Sequence, residues 1–272
     1  MGAEFTAEEI MEITGARLAL GMMPDEAAPI YKDTRVMPEG AWFIALPGQE
    51  FDGHDFLGDA FSQGAIGCIV AERPSYAIAS TSFPLLAVDD TENALAALAR
   101  NWRRRINPRV IVVIVNRSNE VDQVAQICVR RLASKYITEH RQFVADSLPV
   151  VLNAVLNLAD DTRVLVLELS PTSFHYLEIS LQALVPNVLI FSEHCLENLR
   201  LSLSQADFER GLDTCVEGID SKKTKVILAN ADPVVEAAVS LFQGAKTVAS
   251  NEVQPEQDRQ EWAAQIAVKQ MF

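Results

Sequence analysis

The sequence is short of cysteine, of long apolar runs and of positive charge, and each shortage excludes a class of protein. Its four cysteines are scattered with no CxxC spacing, which favours reduced thiols over a disulfide framework or a zinc site. No apolar run reaches the roughly 18 residues that a transmembrane helix needs, so no membrane span is expected. Basic residues number 23 against 37 acidic ones, and the net charge of −14 argues against nucleic acid or anionic lipid as a partner.

The remaining composition is that of a globular protein. Of the 272 residues, 49% are hydrophobic and 22% are charged, which suits one large domain or two smaller ones. Acidic side chains at Glu4, Glu8 and Glu9 stand where a secretory signal would carry positive charge, so we expect a cytoplasmic protein. The one dense basic run, 103–105, is expected to end a helix and to complement the helix dipole.

Short strands separated by turn signals dominate the chain before residue 106. The patterns predict three strands and two helices, at 41–46, 65–72 and 83–88 and at about 7–14 and 55–63. We therefore predict a small α/β domain over residues 1–88. Residues 89–106 are predicted to form a connecting helix, which begins with a capping box between Asp89 and Glu92.

Strands and helices alternate after Pro108. Strands are predicted at 110–115, 164–169, 187–191, 225–229 and 246–249. Helices are predicted at 121–134, 172–184, 204–219 and 233–243. Near-continuous apolar strands that alternate with helices form parallel sheets covered on both faces. The predicted fold class is therefore α/β, in which the small N-terminal domain precedes a central domain over residues 107–272. This central domain is like a P-loop NTPase, with a mainly parallel sheet flanked by helices.

The segment after the first strand of this central domain is unusual for its position. Six β-branched residues, 110–115, are followed by the loop 116–122 and then by an amphipathic pattern. In α/β sheets ligands bind at the carboxyl ends of strands, and a phosphate-binding loop at such a place is rich in glycine and contains a lysine. The loop here reads NRSNEVD, without glycine or lysine.

A second segment, 33–72, carries many residues at the spacings of a known family. They are Asp33, Thr34, Arg35, Phe43, Ala45, Leu46, Gly48, Asp52, Gly53, His54, Phe56, Ala60, Gly64 and Ala65. This segment resembles the N-terminal domain of the Mur ligases, the ATP-dependent amide-bond synthetases of peptidoglycan assembly, and most closely their D-alanyl-D-alanine-adding branch. In that family the domain holds the uridine nucleotide end of the substrate. The resemblance implies substrate-binding roles for Thr34, Arg35, Gly48, Asp52, Gly53 and His54.

A purely structural interpretation of the same residues stays open. Gly48 and Gly53 would then permit tight turns, and Asp52 and His54 would hydrogen-bond the loop to itself. Thr34 and Arg35 are better ligand candidates, because a hydroxyl and a guanidinium suit phosphate oxygens.

The central domain resembles the family's ATPase domain in layout but departs from it at the nucleotide site. Against the family loop T-G-S-N-G-K-T, Arg117 and Glu120 replace glycines. Val121 replaces the phosphate-binding lysine, and Asp122 replaces the magnesium-binding hydroxyl residue. Two carboxylates would oppose a triphosphate, so neither ATP nor magnesium is expected as a cofactor. The degenerate ATP site that we predict comprises Arg117, Ser118, Asn119, Glu120, Val121, Asp122 and Asn230.

Other family positions are only partly retained. Glu168 matches the magnesium-binding glutamate and is a vestigial metal candidate. The family's carbamylated lysine corresponds to Leu212, an ordinary core position at helical spacing. A family histidine corresponds to Asn198, with His194 nearby but out of register.

The N-terminal domain retains the family's residues, whereas the nucleotide-binding loop has lost them. This contrast favours a catalytically inactive Mur-ligase-like protein, a pseudoenzyme that acts by binding. Its expected ligands are a UDP-N-acetylmuramoyl-peptide, a protein partner or a second copy of the chain. Two alternatives stay open. One is a residual or altered ATP-dependent ligase, which would use Glu168, Asp122 and His194 around a metal or a separately supplied third domain. The other is a purely structural scaffold. Because the chain ends about where the family's central domain ends, the third domain is expected to be absent.

Overall fold

The computed structural model describes most of the chain, namely residues 2–48, 51–72, 83–116, 122–145, 148–192, 195–219, 222–229, 235 and 256–271. The chain divides into two compact units. The N-terminal unit comprises Met1–Arg105 with Leu152–Asp160, and the second unit comprises Ile106–Val151 with Asp161–Phe272. The domain boundaries drawn from the sequence stay predictions.

The N-terminal unit is built on a five-stranded sheet in the order β1-β5-β4-β3-β2. Its elements are α1 (Ala7–Thr14), β1 (Arg17–Leu20), β2 (Ile30–Tyr31), β3 (Trp42–Ile44), α2 (Leu57–Ser62), β4 (Gly67–Ala71), β5 (Leu85–Val88) and α3 (Thr91–Ile106). Only β1 runs antiparallel to its neighbour; the other pairs are parallel. Two 3-10 turns, Thr34–Val36 and Gly53–Phe56, precede β3 and α2. Apolar side chains of β3, β4 and β5 pack against α2 in one core cluster.

Local signals explain where the helices of this unit begin and end. The Thr6 hydroxyl accepts the Glu9 N–H at 3.2 Å while the Glu9 carboxylate accepts the Thr6 N–H at 3.0 Å, so α1 begins with a capping box. It ends at Gly15, whose φ of +73° suits glycine. The cap of α3 is Asp90, which accepts the Asn93 N–H at 2.7 Å. The prediction that placed this cap one residue earlier, at Asp89, is wrong.

The second unit contains an all-parallel sheet in the order β10-β9-β6-β8-β7. Its elements are β6 (Arg109–Ile114), α4 (Gln123–Ala133), β7 (Thr138–Ala145), α5 (Leu148–Leu156, whose last turns belong to the N-terminal unit), β8 (Val164–Pro171), α6 (Phe174–Leu184), β9 (Val188–Phe191), α7 (Glu197–Ser202), α8 (Gln205–Glu217), β10 (Lys225–Leu228) and α9 (Glu256–Met271). One face of β6 packs on α4 and α9. The predicted α/β class, with parallel sheets flanked by helices, is confirmed.

The strands and helices that the patterns predicted within the described residues are present, with ends that differ by a few residues. The predicted strand 110–115 is β6, and its residues are buried as its apolar run requires. The predictions missed β1, β2, β7, α5, α7 and α9. The predicted strand 246–249 and all but Val235 of the predicted helix 233–243 lie outside the described residues.

The structure also bears on the expectations from composition. Among the described helices, none is long and apolar enough to cross a membrane. All four cysteines are free and buried. Burial raises the pKa of the Cys128 and Cys215 thiols to about 12. Such thiols stay protonated and unreactive at neutral pH.

Candidate functional site

The first group of predicted substrate-binding residues surrounds the 3-10 turn that follows β2. Asp33 caps this turn by accepting the Arg35 N–H at 3.0 Å. Its two carboxylate oxygens also accept hydrogen bonds from the Arg35 guanidinium, at 2.9 Å from Nε and 2.7 Å from Nη2. This pairing lowers the pKa of Asp33 to about 2. Thr34 is buried, whereas the Arg35 side chain is 85% exposed, so Arg35 is the more accessible of the two predicted phosphate ligands.

The two glycines of the next loop are required by close backbone approaches. A Cβ at Gly53 would lie 2.6 Å from the backbone nitrogen of Leu46, to whose carbonyl the Gly53 N–H donates at 2.9 Å. A Cβ at Gly48 would lie 2.5 Å from the carbonyl oxygen of Phe51. Neither distance is tolerable for a side chain, so the residue type at both positions has a structural explanation, and a role of either glycine in substrate binding stays a prediction.

Asp52 and His54 form a carboxylate–histidine pair that ties this loop to the sheet. Oδ1 of Asp52 lies 2.6 Å from Nδ1 of His54 and accepts the His54 N–H at 3.0 Å. On the other side of the ring, Nε2 accepts the N–H of Ala71, at the end of β4, at 2.9 Å. An imidazole nitrogen that accepts carries no proton, so the ring proton lies on Nδ1 and is donated to Asp52. The pair therefore fixes the loop, which was the structural interpretation, while contact with a ligand stays a prediction.

In the second unit, the candidate site lies where β6 ends and α4 begins. Of the predicted degenerate ATP site, Asp122 is described, while 117–121 and Asn230 lie outside the described residues, as does His194. Asp122 is the cap of α4: Oδ1 accepts the N–H groups of Val124 at 2.8 Å and Ala125 at 3.3 Å. Its other carboxylate oxygen accepts the Ser192 hydroxyl at 2.5 Å. Both oxygens of this carboxylate are thus engaged by groups of the same unit.

Glu168 lies on β8 beside this cap and is fully buried. Its Oε2 accepts the backbone N–H of Asp122 at 2.9 Å, and its Oε1 lies 2.6 Å from Nε2 of His140 on β7. The strand register places Gln142 opposite Glu168, so His140 is its diagonal neighbour on the same face of the sheet. Glu168, His140, Asp122 and Ser192 therefore form one hydrogen-bonded network, which we call the acidic network.

Sequence reasoning missed two members of the acidic network. The segment around His140 has no regular alternation of apolar residues, so neither β7 nor a role for its histidine was predicted. Ser192 follows β9 and gave no signal of its own. Leu212 is fully buried on α8 and lies in the core, as its spacing predicted. Among the described residues, no three His, Cys, Asp or Glu side chains are arranged to hold a metal ion.

Comparisons with known proteins agree with the resemblance that the sequence suggested. Residues 30–103 match the model described as "Mur ligase family, catalytic domain". The UDP-N-acetylmuramoyl-tripeptide–D-alanyl-D-alanine ligase of Haemophilus influenzae is 37% identical over 105 residues. That match covers 39% of this chain and 22% of the relative, so the chain matches less than a quarter of that protein's length.

Solved structures extend the likeness in fold. Crystal structure II of MurF from Acinetobacter baumannii has a TM-score of 0.77 at 17% identity, and the match covers 99% of this chain and 65% of that one. The MurF ligase of Thermotoga maritima, solved in complex with ADP, has a TM-score of 0.60 at 21% identity, covering 81% of this chain and 49% of that one. The resemblance to the Mur ligase family is therefore confirmed, in sequence over the N-terminal region and in fold over nearly the whole chain.

Proposed function

We propose that this protein is a Mur-ligase-like binding protein without ligase activity, which holds a UDP-linked peptidoglycan precursor through its N-terminal unit. The observation that carries the proposal is the acidic network, in which Glu168 and Asp122 have both of their carboxylate oxygens satisfied by neighbouring groups of the chain. A nucleotide and its metal would have to compete with these partners for the two carboxylates.

The capped N-terminus of α4 disfavours the binding of a triphosphate where β6 ends. The N-terminus of a helix attracts anions because its first N–H groups lack partners within the helix. Here Asp122 already supplies the anion and occupies the N–H groups of Val124 and Ala125. A phosphate oxygen about 4 Å from this carboxylate would be repelled by about 4 kcal/mol at an effective dielectric constant near 20.

The surroundings of Glu168 fit a magnesium ion poorly. Magnesium needs a nearly octahedral set of oxygen ligands, of which one or two are protein carboxylates. One oxygen of Glu168 faces the imidazole of His140, and the other accepts a backbone N–H. The imidazole and the backbone amide would compete with a metal ion for this carboxylate. The ADP in the Thermotoga maritima structure belongs to that protein, with which this chain shares only the fold.

The N-terminal unit supports the binding half of the proposal. The family model matches residues 30–103, which include all six predicted substrate-binding positions. The Haemophilus influenzae relative is named for a UDP-N-acetylmuramoyl-tripeptide. The loops at Asp33 and Asp52 are tied by capping and side-chain hydrogen bonds, so a ligand would meet an arrangement that is already ordered.

Calorimetric titration of the full chain with UDP-N-acetylmuramoyl-tripeptide, and separately with Mg-ATP, tests the proposal. We expect saturable binding of the first and none of the second. Replacing Arg35 by Ala should weaken binding of the precursor about tenfold or more, because a charge-assisted hydrogen bond is lost. Arg17→Ala is the matched control, since Arg17 is also an exposed arginine paired with an acid in this unit, Glu72.

The titrations separate the two halves of the proposal. Failure of the precursor to bind would overturn the binding role. Binding of Mg-ATP that disappears in Glu168→Gln would overturn the proposal that the nucleotide site is inactive. It would favour a residual ligase, the alternative that the retained Glu168 supports.

A further inference from the structure

A cleft lies within the N-terminal unit, between α1 and α3. Its volume is about 350 Å³, at the lower end of the range for small-molecule sites. The polar residues that line it are Glu9, Glu12, Arg100, Asn101, Arg104 and Arg105. In a chain with a net charge of −14, three arginines around one cleft are a local excess of positive charge.

The spacing along α3 explains why these arginines meet. Residues three and four apart lie on the same face of a helix, so Arg100, Arg104 and the neighbouring Arg105 point from successive turns toward α1. Arg105 is already engaged: its Nη2 lies 2.9 Å from Oε1 of Glu9, and its Nε donates to Asn101 at 2.7 Å. The other oxygen of Glu9 accepts the Thr6 N–H in the capping box of α1.

Arg100 and Arg104 differ from Arg105, because the part of the chain that the structure describes offers neither of them a hydrogen-bond or ion-pair partner. The Nε of Arg100 is moreover buried without any acceptor. A buried donor without an acceptor costs free energy, and in native proteins such donors are uncommon. Two guanidiniums on consecutive turns thus line the cleft without a hydrogen-bonded acid among the described residues.

We propose that this cleft binds a small oxyanion, either a carboxylate or a phosphate monoester, through Arg100 and Arg104. The planar guanidinium presents paired N–H groups that match the oxygens of both anions. The exposed carboxylate of Glu12 and the negative charge of the whole chain disfavour a long polyanion at this place. The ligand is therefore a compact anion with one or two negative charges. This site is separate from the residues on which the proposed function rests.

The test follows the arginine Nε–Hε signals of the full chain by NMR during titrations with inorganic phosphate, acetate and chloride at matched ionic strength. We expect saturable shifts at Arg100 and Arg104 with phosphate or acetate, and the anion with the lower Kd identifies the ligand chemistry. Arg104→Gln, a change at an exposed side chain, should raise that Kd about tenfold or more. Arg130→Gln, at an exposed position on α4, is the control and should leave it unchanged.

Two outcomes would overturn the inference. One is a response that is linear in concentration and equal for all three anions, which is screening rather than binding. The other is an unchanged Kd in both Arg104→Gln and Arg100→Gln.

Discussion

Each unit contains a carboxylate–histidine pair at 2.6 Å, and the two pairs differ in how the sequence encodes them. Asp52 and His54 are two residues apart and lie in a glycine-containing loop, whereas Glu168 and His140 are 28 residues apart and meet across two strands. In the first pair the carboxylate and the imidazole each accept a backbone N–H, and in the second pair the carboxylate accepts one. The same two groups thus order a loop in one unit and join β7 and β8 to the start of α4 in the other.

Burial distinguishes the two pairs in energetic terms. The Asp52 side chain is 30% exposed, while Glu168 is fully buried. Water can replace a partner that is lost by Asp52, whereas Glu168 has no exposed surface at which water could do so. The comparison therefore predicts unequal consequences when either carboxylate is removed.

The largest effect is expected for Glu168→Ala. It leaves the Asp122 N–H and His140, whose side chain is 26% exposed, without their acceptor, and loss of hydrogen bonds to a buried carboxylate costs about 1.5–3 kcal/mol of unfolding free energy. Asp52→Ala should cost about 1 kcal/mol, the value of a partly exposed cap. Urea unfolding of both variants measures the difference, with the exposed Glu217→Ala as a control expected within about 0.5 kcal/mol of the unsubstituted protein. Equal losses for the two pairs would refute the comparison.

A middle-sized effect is expected from the loop glycines. Gly53→Ala forces a methyl group to within 3 Å of the Leu46 backbone and should destabilise the N-terminal unit by about 1–3 kcal/mol. Gly58→Ala is the matched control, because a Cβ at this helical glycine has no atom within 4 Å. It should stabilise the protein by up to about 1 kcal/mol. If Gly53→Ala were as stable as Gly58→Ala, the loop would not need the close approach that we assign to it.

The smallest effect concerns the Asp33–Arg35 pair, which is more exposed than either histidine pair. The Arg35 guanidinium lowers the pKa of Asp33 from 3.8 to about 2. A lowered pKa in the folded state means that the stabilisation is present above about pH 4 and is lost as the pH falls toward 2. Following the Asp33 carboxyl by NMR in Arg35→Gln should show the pKa return toward 3.8. An unchanged pKa would show that the guanidinium is not its cause.

The sequence predicted those parts of the molecule whose signals are local. The run at 110–115 became a buried strand because apolar residues on both faces exclude an exposed position. The structural interpretation of Asp52 and His54 was available because both belong to one short loop. The cap of α3 was placed one residue too early because Asp89 and Asp90 are both suitable caps, and spacing alone cannot choose between them.

The acidic network could not be predicted because its contacts join distant segments. β7 lies at the edge of the sheet and its first residues, Thr138 to Gln142, are polar, so the strand carries no alternating pattern. Without that strand, nothing in the sequence brings His140 to Glu168. The resemblance matched Glu168 to the family's magnesium-binding glutamate, but its partners in this chain depend on the register of β7 with β8.

The central claim is that Mg-ATP does not bind beside Asp122 and Glu168, because neighbouring groups of the chain engage both carboxylates. Thermal unfolding with and without millimolar Mg-ATP tests this claim most directly. A ligand present at 100 times its Kd would stabilise the folded protein by about 2.7 kcal/mol and raise the melting temperature by several degrees. Our account predicts that adding Mg-ATP leaves the melting temperature of the unsubstituted protein unchanged. It predicts the same for Glu168→Gln, compared with that variant alone. A clear rise with Mg-ATP that Glu168→Gln abolishes, while the control Glu217→Gln retains it, would contradict the account.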